Sequence, residues 1–445
     1  MAPNYGAASG EENMALAPGS TDAAASTDEG YHIDAPELRM LVLGLFFLFG
    51  GITSLNDVVI PKLKDLFTLD YMQAMLVQTA FFAAYAIIGI PGAALVKRIG
   101  YMRGAAFGLA TMMVGCLLFI PASNSATFGL FLFALFVLAS GVTIVQVVTN
   151  PLISLLGSPH TAHSRLTFAQ AFNSAGTVIF PYFGSVLILG SLAKKNAGSL
   201  TGAALDAYRV AETQVVEHAY LGLALVLALA AGIVFANRNR LRGEHHSGGS
   251  ILGSLDLFAR PRFAFGVACI FLYVGAEVSI GSLIVNYMKQ AHVLGLDEQS
   301  AGKMIPFYWG GLLVGRFAGS AILRMIDPAR VLAFNAVGAI VLILVTANTT
   351  GELAAVTLLA IGLMNSIMFP TIFSLASEGL DERAADGSGI LCVAIVGGAV
   401  LPPLTGRLAD TTGSLQFALI IPALCYVVIG AFGLFSRHKG KWAQE

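Results

Sequence analysis

The sequence predicts an all-α membrane protein in which twelve transmembrane helices form two pseudo-symmetric six-helix bundles. Three observations lead there. Of 445 residues, 56% are hydrophobic and 11% charged, with a mean hydropathy of +0.77. A soluble domain typically carries about 25% charged residues, so most of this surface does not face water. A crossing needs roughly 20 apolar residues, and that ruler finds twelve segments. They lie near 39–61, 71–95, 101–121, 126–156, 166–190, 219–237, 263–288, 301–324, 330–348, 353–377, 387–408 and 416–436.

The third observation is an internal repeat. Segment 4 reads Gln146-Val-Val-Thr-Asn-Pro151 and segment 10 reads Asn365-Ser-Ile-Met-Phe-Pro370, each with a side-chain amide five residues before a proline, 219 positions apart. Segments 5 and 11 share a proline flanked by apolar residues, at Phe180-Pro181 and Leu401-Pro402, with an offset of 221. Segments 1 and 7 share Phe-Leu-(Phe/Tyr)-x-Gly ending at Gly51 and Gly275, with an offset of 224. A near-constant offset predicts two equivalent six-helix halves with a ligand site between them near the midplane, the pattern of secondary transporters.

In chain order, residues 1–37 are rich in Ala, Gly, Ser and acids, with no apolar run and no basic start. They read as a disordered cytoplasmic tail rather than a signal peptide. An N-terminal bundle is expected over 38–237. Its connections are short except for 191–218. The stretch 238–262, with Arg238, Arg240, Arg242, Arg260 and Arg262, reads as a cytoplasmic linker. A C-terminal bundle follows over 263–436, then a cytoplasmic tail over 437–445. Basic residues such as Lys97, Arg98, Arg103, Arg165, Arg437, Lys439 and Lys441 fall on one side of the membrane and place both termini in the cytoplasm. One inside loop, 378–386, runs against this bias, with Glu378, Asp381, Glu382 and Asp386 against a single Arg383. Acids contribute little to topology, so the orientation stands.

Composition also excludes functions. A net charge of -1 and the lack of a long basic run argue against a nucleic-acid partner. Cys116, Cys269, Cys392 and Cys425 lie in apolar segments without a CxxC pair, which reads as structural thiols. His160 and His163 share a short loop without further ligands, so no metal site is expected. Neither HExxH, GxSxG nor a phosphate-cradling glycine loop occurs, so no cofactor is expected and a membrane enzyme is the weaker reading.

Polar groups inside a bilayer need a reason, because a carboxylate at a helix centre costs at least ~2.5 kcal/mol. Asp57 in segment 1 reads as a proton-loading site, with a packing role as the plainer alternative. Glu277 in segment 7 either accepts hydrogen bonds from a ligand or neutralises Arg316 in segment 8. Gln146 and Asn150 share one face of segment 4, four residues apart, and Gln170 and Asn173 share one face of segment 5. Asn365 holds the repeat-equivalent place in segment 10. Side-chain amides both donate and accept, which suits a neutral polyhydroxylated ligand such as a monosaccharide. Interhelical bonding, worth about 0.6 kcal/mol on average, is the plainer role for any one of them. Trp309, beside Tyr308, is a candidate platform for the apolar face of a pyranose ring.

These stretches resemble the fucose:proton symporter family of the major facilitator superfamily, in its bacterial glucose/galactose transporter branch, over about residues 38–436. The resemblance is carried by Ser54-Leu-Asn-Asp57, Gln146-Val-Val-Thr-Asn-Pro151, Arg165-Leu-Thr-Phe-Ala-Gln-Ala-Phe-Asn-Ser174, Tyr273-Val-Gly-Ala-Glu-Val-Ser-Ile-Gly281, Asn365-Ser-Ile-Met-Phe-Pro370 and Gly387-Ser-Gly389. It implies a major facilitator fold and a monomeric, multi-pass protein of the cell inner membrane. It further implies import of a hexose or 6-deoxyhexose by proton symport through alternating access, with sodium coupling, uncoupled transport or an N-acetylhexosamine substrate as alternatives. It assigns ion coupling to Asp57, and Gln146, Gln170, Asn173, Glu277, Trp309 and Asn365 become the expected sugar contacts. The position of Gln146 is a glutamate in fucose members, which speaks against fucose and leaves Asp57, with Glu277, to couple the ion. The signature between segments 2 and 3 lacks its usual aspartate, since the chain reads Leu95-Val-Lys-Arg-Ile-Gly100. The inner-gate salt bridge usual there therefore lacks its carboxylate.

Overall fold

The computed structural model describes residues 37–55, 71–184, 202–241 and 252–437, together with Ala35, Leu63 and Phe67. Among the described residues every regular element is helical. The N-terminal half holds α1 (Leu38–Ser54), α2 (Tyr71–Ile99), α3 (Tyr101–Leu117), α4 (Phe128–Leu155), α5 (Ala162–Gly184) and α6 (Ala203–Ala236). The other half holds α7 (Pro261–Lys289), α8 (Ile305–Ile322) and α9 (Pro328–Asn348). Then come α10 in two pieces (Gly351–Asn365 and Met368–Ser377), α11 likewise (Ala384–Ala394 and Gly397–Thr412), and α12 (Ile420–Ser436). Nine stretches among the described residues are long and apolar enough to cross a membrane. The helices α1, α5 and α8 take the places of the first, fifth and eighth expected segments.

The surface is as apolar as the core. Leu225, Leu229, Phe334, Leu344, Val356 and Leu434 are exposed, while Thr143, Thr149, Asn150, Thr167, Asn365 and Thr371 are buried. That inversion is what a bilayer demands, because lipid solvates apolar side chains and polar groups must find partners within the bundle.

One expectation is corrected. The loop over 191–218 is helical from Ala203, and α6 begins there rather than near 219. Its first turns carry Asp206, Arg209, Glu212 and Glu217 among helix-forming alanines, with no proline or glycine to stop the helix. The apolar ruler sees only the part in lipid. The linker is also partly ordered, with a 3-10 helix over Leu252–Ala259.

The sequence repeat is a repeat of contacts. A Cβ on Gly51 of α1 would strike the Phe180 ring of α5, and one on Gly275 of α7 would strike Leu401 of α11. Likewise Gly176 of α5 lies against the Phe47 carbonyl, and Gly397 of α11 against the Phe271 carbonyl. Both pairs of helices approach closely enough for backbone to touch backbone, which only glycine allows.

Contacts between the halves gather at one end of the molecule, hereafter the closed end, where the α2–α3, α4–α5, α8–α9 and α10–α11 connections lie. There Lys97 Nζ of α2 is 2.9 Å from Asp386 Oδ2 of α11, with side chains only 12% and 6% exposed. His163 Nδ1 lies 2.5 Å from Ser374 Oγ, and its Nε2 lies 3.0 Å from Glu378 Oε1. Glu378 also pairs with Arg262 at 2.6 Å. Ser164 Oγ donates to the Ser320 carbonyl at 2.6 Å and accepts from Arg324 Nε at 3.1 Å. Deeper in, α2 and α11 cross at Gly89 and Gly389, where a Cβ on either would lie 2.7 Å from the other's carbonyl oxygen.

Candidate functional site

The polar residues singled out in the sequence converge between the halves, one level below the glycine crossing. On the N-terminal side, Gln146 Nε2 donates to the Tyr85 hydroxyl at 2.9 Å, tying α4 to α2. Gln170 Nε2 donates to Asn150 Oδ1 at 3.4 Å, tying α5 to α4. Gln146, Asn150 and Gln170 are buried, whereas Asn173 is half-buried and held only by a 3.4 Å bond to the Phe46 carbonyl. Asn150 Nδ2 is buried without a partner. Gln146 and Asn150 share a helix face yet have separate partners, so the shared face serves two different neighbours.

On the C-terminal side, the α10 break decides the geometry. A proline removes one backbone donor and clashes with the carbonyl four residues before it, here Ser366 before Pro370. The helix stops at Asn365 and resumes at Met368. Its freed carbonyls are met from neighbouring helices: Tyr273 Oη of α7 donates to the Asn365 carbonyl at 3.0 Å, and Arg316 Nε of α8 to the Ser366 carbonyl at 3.2 Å. Tyr273 also lies 2.7 Å from Glu277 Oε1. Tyr308 donates to the Glu277 carbonyl at 3.2 Å and accepts from Asn365 Nδ2 at 2.8 Å. Trp309, half-buried, packs edge-to-face with Tyr308 and over Gly281 of α7.

Arg316, 7% exposed, lies near Glu277 without pairing with it. Its Nη1 donates across the midline to the Gln170 carbonyl at 3.0 Å and to Ser174 Oγ. The cation therefore bridges the α10 break to α5 of the other half. Glu277, half-buried, is bonded through its carboxyl to Tyr273.

Asp57 lies outside the described residues. Of the other expected contacts, Gln146, Gln170 and Asn173 gather on α4 and α5, and Glu277, Asn365 and Trp309 gather on α7, α10 and α8. Sequence reasoning missed Tyr85 and named Tyr308 only for stacking beside Trp309, not for its hydroxyl. Tyr85 holds Gln146 in one half as Tyr308 holds Asn365 in the other, each hydroxyl accepting an amide N–H at almost the same distance. Their spacing matches the internal repeat, and that match was the signal available. Among the described residues no cluster of His, Cys, Asp and Glu is arranged to hold a metal.

Comparison with known proteins agrees with this architecture. The family model described as Major Facilitator Superfamily matches residues 41–395. A glucose/galactose transporter of Brucella abortus biovar 1 (strain 9-941) is 48% identical over 395 residues, which cover 89% of this chain and 93% of the relative. The L-fucose-proton symporter of Escherichia coli (strain K12) is 33% identical over 403 residues, covering 89% and 92%. The solved structure of FucP in the outward conformation, 32% identical, superposes with a TM-score of 0.82 over 89% of this chain and 98% of that one.

Proposed function

Because the chain belongs to the major facilitator superfamily, we propose that it imports a neutral hexose of the glucose or galactose kind by proton symport. It is a sugar transporter of this type and not an enzyme. The observation that carries the hexose reading is the pair of amide–phenol units, Gln146–Tyr85 and Asn365–Tyr308, one in each half. With its N–H engaged by a phenol, each amide turns its oxygen elsewhere as an acceptor for hydroxyl groups. Among the described residues the site's buried cation, Arg316, bonds two backbone carbonyls and Ser174 rather than a carboxylate.

In this reading Gln170, Asn173 and Glu277 complete the hydroxyl contacts, and Trp309 offers its face to the ring. Asp57 carries the coupled proton, as the resemblance to the L-fucose-proton symporter suggests. The two bundles, 38–237 and 263–436, rock about the site. The closed end is the cytoplasmic one, where Lys97, Arg98, Arg103 and Arg165 lie. The site then faces outward, in keeping with the likeness to FucP in the outward conformation.

Counterflow in proteoliposomes tests the reading. Vesicles loaded with unlabelled galactose or glucose are expected to accumulate labelled hexose transiently, and an imposed inward proton gradient to drive net uptake. Counterflow of neither hexose would sink the substrate assignment. Uptake that follows a sodium gradient and ignores the proton gradient would replace the ion.

A further inference from the structure

Hydrogen counting around Tyr273 exposes a mismatch. Its hydroxyl owns one proton, yet it lies at 2.7 Å from Glu277 Oε1 and 3.0 Å from the Asn365 carbonyl. Both lengths belong to ordinary two-centre O–H···O bonds. A backbone carbonyl can only accept, whereas a carboxyl oxygen accepts when ionised and donates when protonated. The two bonds are satisfied together when Glu277 carries a proton and donates it to the Tyr273 oxygen, freeing the phenol proton for Asn365. When Glu277 is ionised, it claims the phenol proton and the Asn365 carbonyl at the α10 break loses its donor. Tyr308 offers no substitute, because its own proton goes to the Glu277 carbonyl and its oxygen accepts from Asn365 Nδ2.

We propose that Glu277 is a proton-carrying carboxylate of the C-terminal half, and that the Tyr273 hydroxyl transmits its protonation state to the break in α10. This rests on the symport reading above and adds to it a proton site in the C-terminal half. The step balances simply. A proton from water reaching the half-buried carboxylate adds to Oε1, and the neutral acid donates to the Tyr273 oxygen. The phenol proton, retained by Tyr273, turns to the Asn365 carbonyl, and release runs in reverse. The titratable groups facing Glu277 are Tyr273 from its own helix, Arg316 and Tyr308 from α8, and Tyr426 from α12. The helix α10 adds only the neutral Asn365. A carboxylate exchanging its proton there changes which carbonyl at the substrate level is satisfied, and that carbonyl belongs to the residue whose amide is an expected sugar contact.

The test is infrared difference spectroscopy on reconstituted protein taken from high to low pH, in the Asp57→Asn background so that the Asp57 carboxylate is silent. A carboxylic-acid C=O band is expected to grow in as pH falls and to vanish in Glu277→Gln. In Tyr273→Phe the band is expected to persist but at a shifted frequency, since its hydrogen-bond acceptor is gone. A band unchanged by Glu277→Gln overturns the proposal, as does a Tyr273→Phe spectrum identical to the parent; the second variant keeps the test alive should the first not fold. Hexose counterflow, run on wild-type vesicles, separates the two readings. A titrating Glu277 band in a protein that exchanges no hexose leaves this proposal standing and removes the substrate assignment.

Discussion

Removing the carboxylate of Asp386 should open the closed end, and the structure sets the size of the effect. The Lys97–Asp386 pair joins α2 to α11 at 2.9 Å, with both side chains nearly buried at 12% and 6% exposure. Taking one partner from a buried ion pair costs about 3–5 kcal/mol, because the other charge is left without compensation. Lys97 retains slight solvent contact, which argues for the lower end, about 3 kcal/mol. The state in which the halves part at this end wets both groups and escapes that cost. Asp386→Asn should therefore shift the balance between closed and open by on the order of a hundredfold, at about 1.4 kcal/mol per tenfold. Replacing both partners with apolar groups, Lys97→Met with Asp386→Leu, should restore most of the balance, since Arg383 keeps Asp256. The assay is the rate at which a membrane-impermeant maleimide labels a cysteine placed at Ala93, which faces Gly389 across the junction, in a cysteine-free background. Labelling of Asp386→Asn no faster than the parent would refute the reasoning. So would a double variant that labels faster than the single, because independent losses add whereas a broken pair does not.

Three further outcomes are expected. Asn173→Ala should weaken hexose binding by about 1–3 kcal/mol with little loss of thermal stability, because its one bond, 3.4 Å to the Phe46 carbonyl, is long; equilibrium binding and melting temperature on one preparation check both halves of the statement. Asp57→Asn should abolish uphill accumulation of sugar while leaving exchange between pre-loaded compartments intact, and vesicles of this variant that still concentrate sugar down a pH gradient would remove Asp57 from the coupling role. At the linker, the hydrogen bond from Arg383 holds the Asp256 carboxyl below the usual carboxylate range. A depressed carboxyl stabilises the docked 3-10 helix above its unfolded-state pKa and loses that contribution as pH falls through the folded value. Hydrogen exchange over residues 252–259 should therefore rise only in strongly acidic buffer, and Asp256→Asn should raise it at neutral pH.

How much of this was legible beforehand follows from what each feature depends on. The apolar runs and the repeat are local and one-dimensional, so the helices and the two-fold relation could be read directly. The polar first turns of α6 could not be, because the apolar ruler measures lipid contact and not helicity. The motif shared by α4 and α10 shows a subtler limit. Both place a proline five residues after an amide, yet α4 runs unbroken from Phe128 to Leu155 while α10 breaks after Asn365. Whether a proline bends or breaks a membrane helix depends on who satisfies the released carbonyls. Around α10 two donors are in place, Tyr273 and Arg316, each from a different helix. No spacing rule within one segment contains that information.

The acidic loop teaches the same lesson in charge. Read alone, Glu378, Asp381, Glu382 and Asp386 ran against the basic bias of their side of the membrane. In the fold, Glu378 meets His163 and Arg262, and Asp386 meets Lys97 and, at 3.5 Å, Arg383, which also grips Asp256 of the linker. The missing aspartate of the α2–α3 signature and the surplus of acid on the α10–α11 loop are thus two sides of one arrangement. The N-terminal half supplies the cation Lys97 and the imidazole of His163, and the C-terminal half the acids Asp386 and Glu378 that they meet. Glu378 and Asp386 keep Arg262 and Arg383 as partners within their own half, so it is Lys97 that loses its carboxylate when the halves part, and closing the end is what neutralises it. A transporter that must visit both states needs that closure to be reversible. Lys97, Asp386 and Glu378 meet that need, since all can be rehydrated on opening, whereas a wholly apolar seal there would favour closure at every stage of the cycle.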